Sequence, residues 1–511
     1  MVIEMNYETE KSAINAGAEK NNLIATNSGW RIDYAIVTVI FVLTLASYLF
    51  LTDLAPRNDE VAMFHGAVNI PWSQTFSKYY APQNHVLYAA LTKLSCCLSQ
   101  RCELFYIRLP AVIFGAMIPA LSYWLAKSWF SRLTGIGAAL VLMSLPAQAN
   151  YATDGRGYTL VTTCFLLALV FCANHRFQED LRLRILTGIV LALGAWAIPT
   201  AAIGWCCVAA AIVLRDLRRG WAFLPGVFIP AVMLSICFYL PVILSPYRDV
   251  LFGNKYVASQ SLGWLAYGWP QMVKLTVNDW VTGVPLFVLA ILLVGLVYHV
   301  WNLRKTPAIA GSDLLVATIL GCMMFLALRR VAPPARVWSF VLPIVVIAEC
   351  EGIRLMTQSI VPGKLWTRRV AFGIYAVIMS SLSYSMHGSD VLKTMNPAFD
   401  AETLISSVND TLNDGKRVIA WGPTANALSY FLYRDHGISP EEFDGGRLLP
   451  QEDAVYYCNK RTGQTIDHLN AMWGIQDRKA ENAVLLFETV GYQVFDIKPS
   501  VADGKRNLGE F

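Results

Sequence analysis

The carboxylates that follow the first long apolar stretch are the strongest candidates for proton-transfer chemistry in this sequence. Asp59 and Glu60 come just after the apolar segment Tyr34 to Leu54, and Asn84 and His85 follow shortly afterwards. A charged group at the edge of a hydrocarbon layer is costly and usually has a purpose there. Two interpretations are open at this point. The pair is either a solvated turn after a helix or a site at which a carboxylate accepts a proton.

Two later stretches carry charged groups that could join this pair. Their members are Asp154, Arg156 and Tyr158 in one stretch, and Arg329, Arg330 and Arg336 in the other. A guanidinium group binds an oxyanion, with two parallel hydrogen bonds where the geometry permits. A carboxylate that accepts a proton, beside such arginines, suits the displacement of a phosphate leaving group by a hydroxyl. Each arginine alone also fits a side chain that merely extends to the membrane surface.

The composition is that of an integral membrane protein. The 511 residues are 55% hydrophobic and only 15% charged, whereas soluble domains carry about a quarter charged residues. The net charge of +5 is dispersed in small basic clusters, so we expect no nucleic-acid partner. The 11 cysteines lie mainly in apolar runs without zinc-ligand or redox spacing, and we interpret most as small packing residues. A bridge among Cys96, Cys97 and Cys102 is the less favoured alternative.

About eleven apolar segments reach the length of about 20 residues that a membrane span requires. They begin at Tyr34, Leu109, Thr134, Tyr158, Ile185, Ala201, Ala222, Val281, Leu314, Val337 and Ala371. Basic clusters fall in alternate loops, such as Lys127 with Arg132 and Arg368 with Arg369. The positive-inside rule places these loops in the cytoplasm, together with a disordered N-terminal tail, 1–33.

Two segments allow more than one interpretation. The stretch 85–98 is apolar, but it is short and interrupted by Lys93, so we predict an interfacial helix. The stretch 185–214 is either one long tilted helix or a tight pair broken at Pro199. A proline at the centre and an arginine at each end favour the helical pair.

On this topology the three charged groups reach the same side of the membrane. The first outside loop, 53–108, contains Asp59, and the links that contain Arg156 and Arg336 also face outside. Because the orientation was derived from other residues, this convergence favours a functional site over a solvated turn. Residues 34–387 therefore form a membrane domain with its polar groups collected on the outer face.

The final residues, 388–511, change character and become polar. Four short apolar runs predict strands that alternate with helical patterns, and they begin at Arg417, Ala454, Ala483 and Tyr492. Such alternation predicts a small α/β domain. We expect it to lie outside the cytoplasm and to cover the site or to recognise an acceptor, although a purely structural role is a close alternative.

Five short motifs occur in order before residue 388. They are Asn58-Asp59-Glu60, Asn84-His85-Val86-Leu87-Tyr88, Arg108-Leu109-Pro110, Asn150 to Tyr158, and Ala335 to Pro343. In this order they resemble the GT-C superfamily of glycosyltransferases that use polyprenyl-phosphate sugars. The superfamily includes protein O-mannosyltransferases and the aminoarabinose transferase that acts on lipid A.

The resemblance implies a polytopic, mainly α-helical bundle in the inner (plasma) membrane. Such a protein transfers a sugar, with inversion, from a polyprenyl-phosphate carrier to an acceptor outside the cytoplasm. The acceptor class stays open among lipid A or lipopolysaccharide, a cell-surface glycan and a protein. The implied roles are Asp59 as base, Glu60 as its orienting partner, Arg156 and Arg336 as ligands of the carrier phosphate, and His85, Asn84, Asp154 and Tyr158 as pocket residues.

The sequence departs from the family pattern at two positions. Asp154 stands where glutamate is usual, and Val86 stands where a proline often follows the histidine. These changes leave the exact roles of Asp154 and His85 open. We expect no metal or other cofactor, although Asp59, Glu60, His65 and His85 are residue types that bind divalent ions.

Two other functional classes compete with a transferase. A transporter or flippase of lipid-linked sugars predicts internal repeats and ionisable residues in mid-span. We find no clear repeat, and the charges lie at span ends. A polysaccharide polymerase or ligase would place its large functional loop late in the chain, whereas the acidic loop here is early.

Overall fold

Most of the chain forms a bundle of apolar helices, with a small sheet near its C-terminal end. The computed structural model describes residues 31–52, 54, 56–82, 84–99, 102–253, 259–305, 313–331, 333–361, 363–388, 401–421, 423–438, 453–473, 475, 480–489 and 492–497. The predicted tail, 1–33, lies outside these ranges except for 31–33, which belong to the first helix.

The helices differ widely in length. The first part of the chain contains α1 (Arg31–Leu49), α2 (Asn58–Met63), α3 (Trp72–Ser77), α4 (Val86–Cys96), α5 (Leu104–Trp129), α6 (Arg132–Ser144) and α7 (Pro146–Ala152). The middle part contains α8 (Tyr158–Ala173), α9 (Leu181–Ala197), α10 (Ala202–Arg215), α11 (Gly220–Ile243), α12 (Arg248–Gly253), α13 (Leu262–Val281), α14 (Leu286–Lys305), α15 (Leu314–Arg329), α16 (Leu342–Ile360) and α17 (Lys364–Gly388).

Within the described ranges, five helices are long and apolar enough to cross a membrane. They are α1, α5, α11, α14 and α17. A sixth span results if α6 and α7, which are bent by 66° relative to each other, are counted together. These helices indicate a multi-pass membrane protein. The total of about eleven spans remains a prediction, because several of its segments form helices of only 14 to 17 residues.

The segment 185–214 forms the predicted helical pair. Helix α9 ends at Ala197 and α10 begins at Ala202, with Pro199 between them. At the far end of α10, Arg215 Nη2 donates to the carbonyl of Ala173, 3.2 Å away, at the end of α8. Helix α9 begins shortly after α8 ends, so the end of α10 lies near the start of α9. Helices α9 and α10 therefore run antiparallel. Proline lacks the N–H group that a continuous helix would need at this point.

The C-terminal part contains α18 (Ile405–Asn413), α19 (Pro423–His436) and α20 (Ile466–Trp473), with a sheet of β1 (Arg417–Ile419), β2 (Ala454–Asn459), β3 (Ala483–Glu488) and β4 (Tyr492–Ile497). The strand order is β1-β2-β4-β3. β1 and β2 are parallel and are joined through α19, while the other two pairings are antiparallel. A parallel pair needs such a crossover connection. All four predicted strands are confirmed.

The sheet region shares a hydrophobic core with the first loop. One buried cluster contains Val61 on α2, Phe64 directly after it and Tyr88 on α4, together with Phe431 of α19 and Val494 of β4. The C-terminal residues thereby hold the part of the first loop that contains Asp59.

A disulfide joins the last turn of α4 to the start of α5. It links Cys96 to Cys102, whose Cα atoms are 4.6 Å apart, which is within the usual range for a bridge. The interpretation of these two cysteines as packing residues was therefore wrong. The error arose because the sequence does not show that the two helix ends return to the same point.

Candidate active site

A cavity of about 640 Å³ lies where several helix ends meet. Its polar walls come from α2, from α7 and the link that follows it, from the last turns of α13, and from a 3₁₀-helical turn, Ala335–Phe340. The charged side chains that line it are Arg57, Asp59, Asp154, Arg156, Asp279 and Arg336. Each of the three groups that the topology placed on one side of the membrane therefore contributes to this cavity, through Asp59, through Asp154 with Arg156, and through Arg336.

Asp59 lies between two guanidinium groups. Its Oδ2 atom is 2.5 Å from Arg156 Nη1 and 3.0 Å from Arg336 Nη1. Its Oδ1 atom accepts only a longer hydrogen bond of 3.4 Å from Asn58 Nδ2. The side chain is 23% exposed. One oxygen of Asp59 is thus committed to arginine, and the other is more weakly bound at the cavity wall.

Asp154 holds Arg156 in place. Arg156 Nε is 3.0 Å from Asp154 Oδ1, and Arg156 Nη2 is 2.7 Å from Oδ2. Arg57 Nη1 lies 3.4 Å from the same carboxylate. Burial alone would raise the pKa of Asp154, but the charges of Arg156 and Arg57 outweigh it and hold that pKa well below its usual range. Asp154 is therefore a permanent carboxylate that orients Arg156, not a group that takes up a proton.

Glu60 is buried behind the cavity and does not line it. Arg108 donates to both of its oxygens, from Nε at 2.8 Å and from Nη2 at 2.7 Å. The backbone N–H groups of Gly155 and Arg57 also donate to it, at 2.9 and 3.0 Å. With four donors around it, Glu60 ties α2 and α5 to the link that contains Arg156. Glu60 therefore acts on the cavity only through these neighbours.

Gly155 approaches this carboxylate closely. A Cβ atom at position 155 would overlap Glu60 Oε1. Only glycine lets the backbone of the link reach the buried carboxylate, and that contact places the neighbouring Arg156 at the cavity wall.

His85 and Tyr158 support the same link from the other side. The backbone N–H of Gly157 donates to His85 Nδ1 at 2.9 Å, and the His85 ring packs edge-on against Tyr158, with centroids 5.3 Å apart. Arg156 lies over the Tyr158 ring, 5.1 Å from its centroid. Asn84 is buried and donates to the carbonyl of Lys78. These predicted pocket residues surround the link and do not line the cavity themselves.

Sequence reasoning missed several cavity residues. Asp279, in the last turn of α13, accepts a hydrogen bond from the Tyr151 hydroxyl. Asn150 on α7 accepts from Arg57 Nη2 at 2.7 Å. Asn278 also lines the cavity. The available signal was the polar pair Asn278 and Asp279, which directly precedes the apolar segment predicted to begin at Val281. Of the later arginines, Arg336 lines the cavity, whereas Arg329 and Arg330 do not.

Two solved structures share this architecture over most of the chain. ArnT from Cupriavidus metallidurans bound to undecaprenyl phosphate matches with a TM-score of 0.57 and 11% identity, over 90% of this chain and 97% of that chain. The same protein in the apo state matches with a TM-score of 0.53 and 11% identity, over 92% and 98%. The fold is that of the GT-C glycosyltransferases. No protein-family model and no curated protein sequence matches the chain.

Three of the four candidate metal ligands named from the sequence are occupied by other contacts. Glu60 binds Arg108, His65 Nε2 lies 3.2 Å from Ser429 Oγ, and His85 accepts from Gly157. In the described part of the chain, no three His, Cys, Asp or Glu side chains are grouped as metal ligands. Transfer without a metal stays a prediction.

Acidic pH is expected to destabilise the GT-C fold in part through His85. Burial lowers the pKa of His85 from 6.5 to about 3. Because the folded state then binds fewer protons than the unfolded chain, the contribution of His85 to stability is complete above about pH 6.5 and is lost as the pH falls toward 3. The slope from one such group reaches about 1.4 kcal/mol per pH unit. His85→Asn keeps an acceptor for Gly157 and removes the titration, so its thermal unfolding should depend less on pH between about 4.5 and 6.5. An unchanged pH dependence in this variant would contradict the assignment.

Proposed function

We propose that this protein is a membrane glycosyltransferase that moves a sugar from a polyprenyl-phosphate carrier to an acceptor outside the cytoplasm. The observation that carries the proposal is the position of Asp59 between Arg156 and Arg336 at the wall of the cavity. The bound undecaprenyl phosphate of ArnT, a structure with the same fold, supports a lipid-phosphate ligand.

The transfer is a single displacement. Asp59 Oδ1, the oxygen that no arginine holds, accepts the proton of the acceptor hydroxyl. The hydroxyl oxygen forms a bond to the anomeric carbon of the sugar while the bond from that carbon to the carrier phosphate oxygen breaks. The electron pair of the broken bond leaves with the polyprenyl phosphate. One displacement at the anomeric carbon inverts its configuration.

The two arginines have different parts in this step. The Arg336 side chain is 41% exposed, and it can therefore meet an incoming phosphate. Arg156 is only 5% exposed and is largely taken up by Asp154 and Asp59. We assign Arg336 as the main ligand of the carrier phosphate and Arg156 as a fixed positive charge beside it. Both stabilise the negative charge that develops on the leaving phosphate.

We propose that the cavity opens on the extracytoplasmic face of the inner (plasma) membrane. The alternating basic clusters support this orientation. The bridge between Cys96 and Cys102, in the same loop as Asp59, also supports it, because disulfides persist mainly in oxidising compartments. The acceptor is then a hydroxyl on lipid A or lipopolysaccharide, on another surface glycan or on a protein.

The fate of the donor lipid separates this proposal from a flippase. The full-length protein is reconstituted in vesicles that contain a polyprenyl-phosphate sugar with a labelled sugar, and membranes from cells that lack the protein supply the acceptor. A transferase releases unglycosylated polyprenyl phosphate in step with labelling of the acceptor. Movement of intact labelled lipid across the vesicle, without cleavage of the sugar–phosphate bond, would overturn the proposal in favour of transport.

Arg336→Gln is expected to lower kcat/KM for the donor about 10- to 100-fold, since a hydrogen bond to a charged group contributes about 1.5–3 kcal/mol. Most of the loss should appear as a higher KM for the lipid donor, because the contact exists before the sugar–phosphate bond breaks. The measurement is steady-state transfer at varied donor concentration. Arg329→Gln, at the end of α15 and outside the cavity, is the matched control. Equal losses in the two variants would contradict the role of Arg336.

A further inference from the structure

A second cavity, of about 810 Å³, lies at the other end of the helix bundle. Helix α16 connects the two sites, because it begins at Leu342, shortly after Arg336, and ends at Ile360, beside Val361 of the second cavity. Its 19 residues rise about 28 Å at 1.5 Å per residue. The two cavities are thus separated by about the thickness of the hydrocarbon core of a membrane.

Four arginines line this second cavity: Arg132, Arg354, Arg368 and Arg369. None of its described lining residues is a carboxylate. Arg368 and Arg369, in the first turns of α17, are exposed. Arg132 and Arg354 are paired with Asp33 and Glu351. The positive charge that attracts an anion therefore comes mainly from Arg368 and Arg369.

Two of these arginines are held in fixed orientations from behind. Arg132 binds Asp33 through Nε at 2.8 Å and Nη2 at 3.0 Å. Arg354 binds Glu351 through Nε at 2.8 Å and Nη2 at 2.7 Å. Fixed guanidinium groups lose less conformational entropy when a ligand binds.

The rest of the wall is mixed, with Ser131, Gln358 and Thr367 beside four apolar side chains. Leu133 and Ile136 on α6, Val361 after α16, and Phe372 on α17 line the cavity together with the arginines. A free anion would use only the arginines. A ligand with an anionic head and hydrocarbon chains would use both parts of the wall.

We propose that this cavity binds the phosphodiester head group of an anionic membrane lipid, such as phosphatidylglycerol. Basic pockets between membrane helices bind the head groups of anionic lipids in this way. The arginines contact the phosphate, and the apolar residues contact the start of the acyl chains. The site is distinct from the cavity that contains Asp59, and it does not depend on the proposed transfer reaction.

The chain itself provides a matched control. Arg218 and Arg219 are also adjacent and exposed, and they lie between α10 and α11 outside this cavity. They form another of the basic clusters in alternate loops, so the positive-inside rule predicts the same side of the membrane for them as for Arg368 and Arg369. If binding depends on the cavity, substitution of Arg368 and Arg369 should weaken it and substitution of Arg218 and Arg219 should not. General attraction between basic residues and anionic lipids would make the two substitutions equivalent.

Native mass spectrometry of the full-length protein in detergent, with added phosphatidylglycerol or phosphatidylcholine, tests the proposal. The wild-type protein should retain phosphatidylglycerol in preference to phosphatidylcholine. The variant Arg368→Gln/Arg369→Gln should lose about tenfold in retention, and Arg218→Gln/Arg219→Gln should retain the wild-type amount. Thermal unfolding of both variants without lipid checks that each is folded.

Several outcomes would overturn the proposal. Equal retention of phosphatidylglycerol by the wild-type protein and the Arg368→Gln/Arg369→Gln variant would do so, and so would an equal loss in the control variant. A loss of the lipid in Arg336→Gln would place it in the active-site cavity instead. A parallel measurement adds inorganic phosphate instead of lipid. If phosphate raises the thermal stability of the wild-type protein but not that of Arg368→Gln/Arg369→Gln, and no lipid is retained, the ligand is a free anion.

Discussion

Asp59→Asn is expected to lower the rate of sugar transfer about 10²- to 10⁴-fold, the usual contribution of a positioned general base. Asparagine keeps the shape of the side chain, but its amide cannot take the proton from the acceptor hydroxyl. Since Asp59 is partly exposed at the cavity wall, the variant should still fold and insert in the membrane. The measurement is single-turnover transfer at saturating donor, which isolates the chemical step from donor binding.

Asp279→Asn is the matched control for this prediction. Three carboxylates line the cavity: Asp59, Asp154 and Asp279. Asp154 binds Arg156, whereas Asp279 accepts a hydrogen bond from the Tyr151 hydroxyl. Its substitution should change the rate much less than Asp59→Asn. A large loss in Asp279→Asn together with nearly normal transfer by Asp59→Asn would move the base assignment to Asp279.

Glu60→Gln and Arg108→Met are each expected to destabilise the fold by about 3–5 kcal/mol, because each leaves the charge or polar groups of the other residue buried without its partner. Both side chains are fully buried, and the pair is held by two hydrogen bonds. The measurement is the free energy of unfolding in detergent. Transfer should also fall in Glu60→Gln, since Glu60 fixes Gly155 and, through it, Arg156.

The double variant Glu60→Gln/Arg108→Met separates the charge effect from a loss of packing. Removal of both charges should destabilise the fold less than the sum of the two single substitutions, because neither charge is then left alone in the interior. Strictly additive losses would show that the two side chains do not stabilise each other. The contacts of Arg108 Nη1 with the carbonyls of Thr52 and Leu54 are lost in both the single Arg108 variant and the double variant, so the comparison is balanced.

The grouping of Asp59, Arg156 and Arg336 was predictable from the sequence. Loop position follows from the lengths of the apolar segments, and the side of the membrane follows from basic clusters elsewhere in the chain. The strands of the C-terminal region were predictable because short apolar runs between turn residues have few other interpretations. The break at Pro199 was predictable because proline removes a hydrogen-bond donor.

The individual contacts within the site were not predictable. Glu60 and Asp59 are adjacent and chemically alike, yet one is buried against Arg108, 48 positions away in sequence, and the other lines the cavity. Which of the two faces inward depends on the direction of the short helix α2. Its six residues are too few to show a hydrophobic periodicity that would predict this direction. Asp279 was missed for a similar reason, since its place in the cavity depends on where the end of α13 packs.

The position of the carrier phosphate tests the central claim most directly. We suggest that the full-length protein be determined by cryo-electron microscopy in lipid nanodiscs with undecaprenyl phosphate. The account predicts density for the phosphate within hydrogen-bonding distance of the Arg336 guanidinium, in the cavity that Asp59 and Arg156 line. Phosphate density only beside Arg368 and Arg369, or away from both cavities, would contradict it.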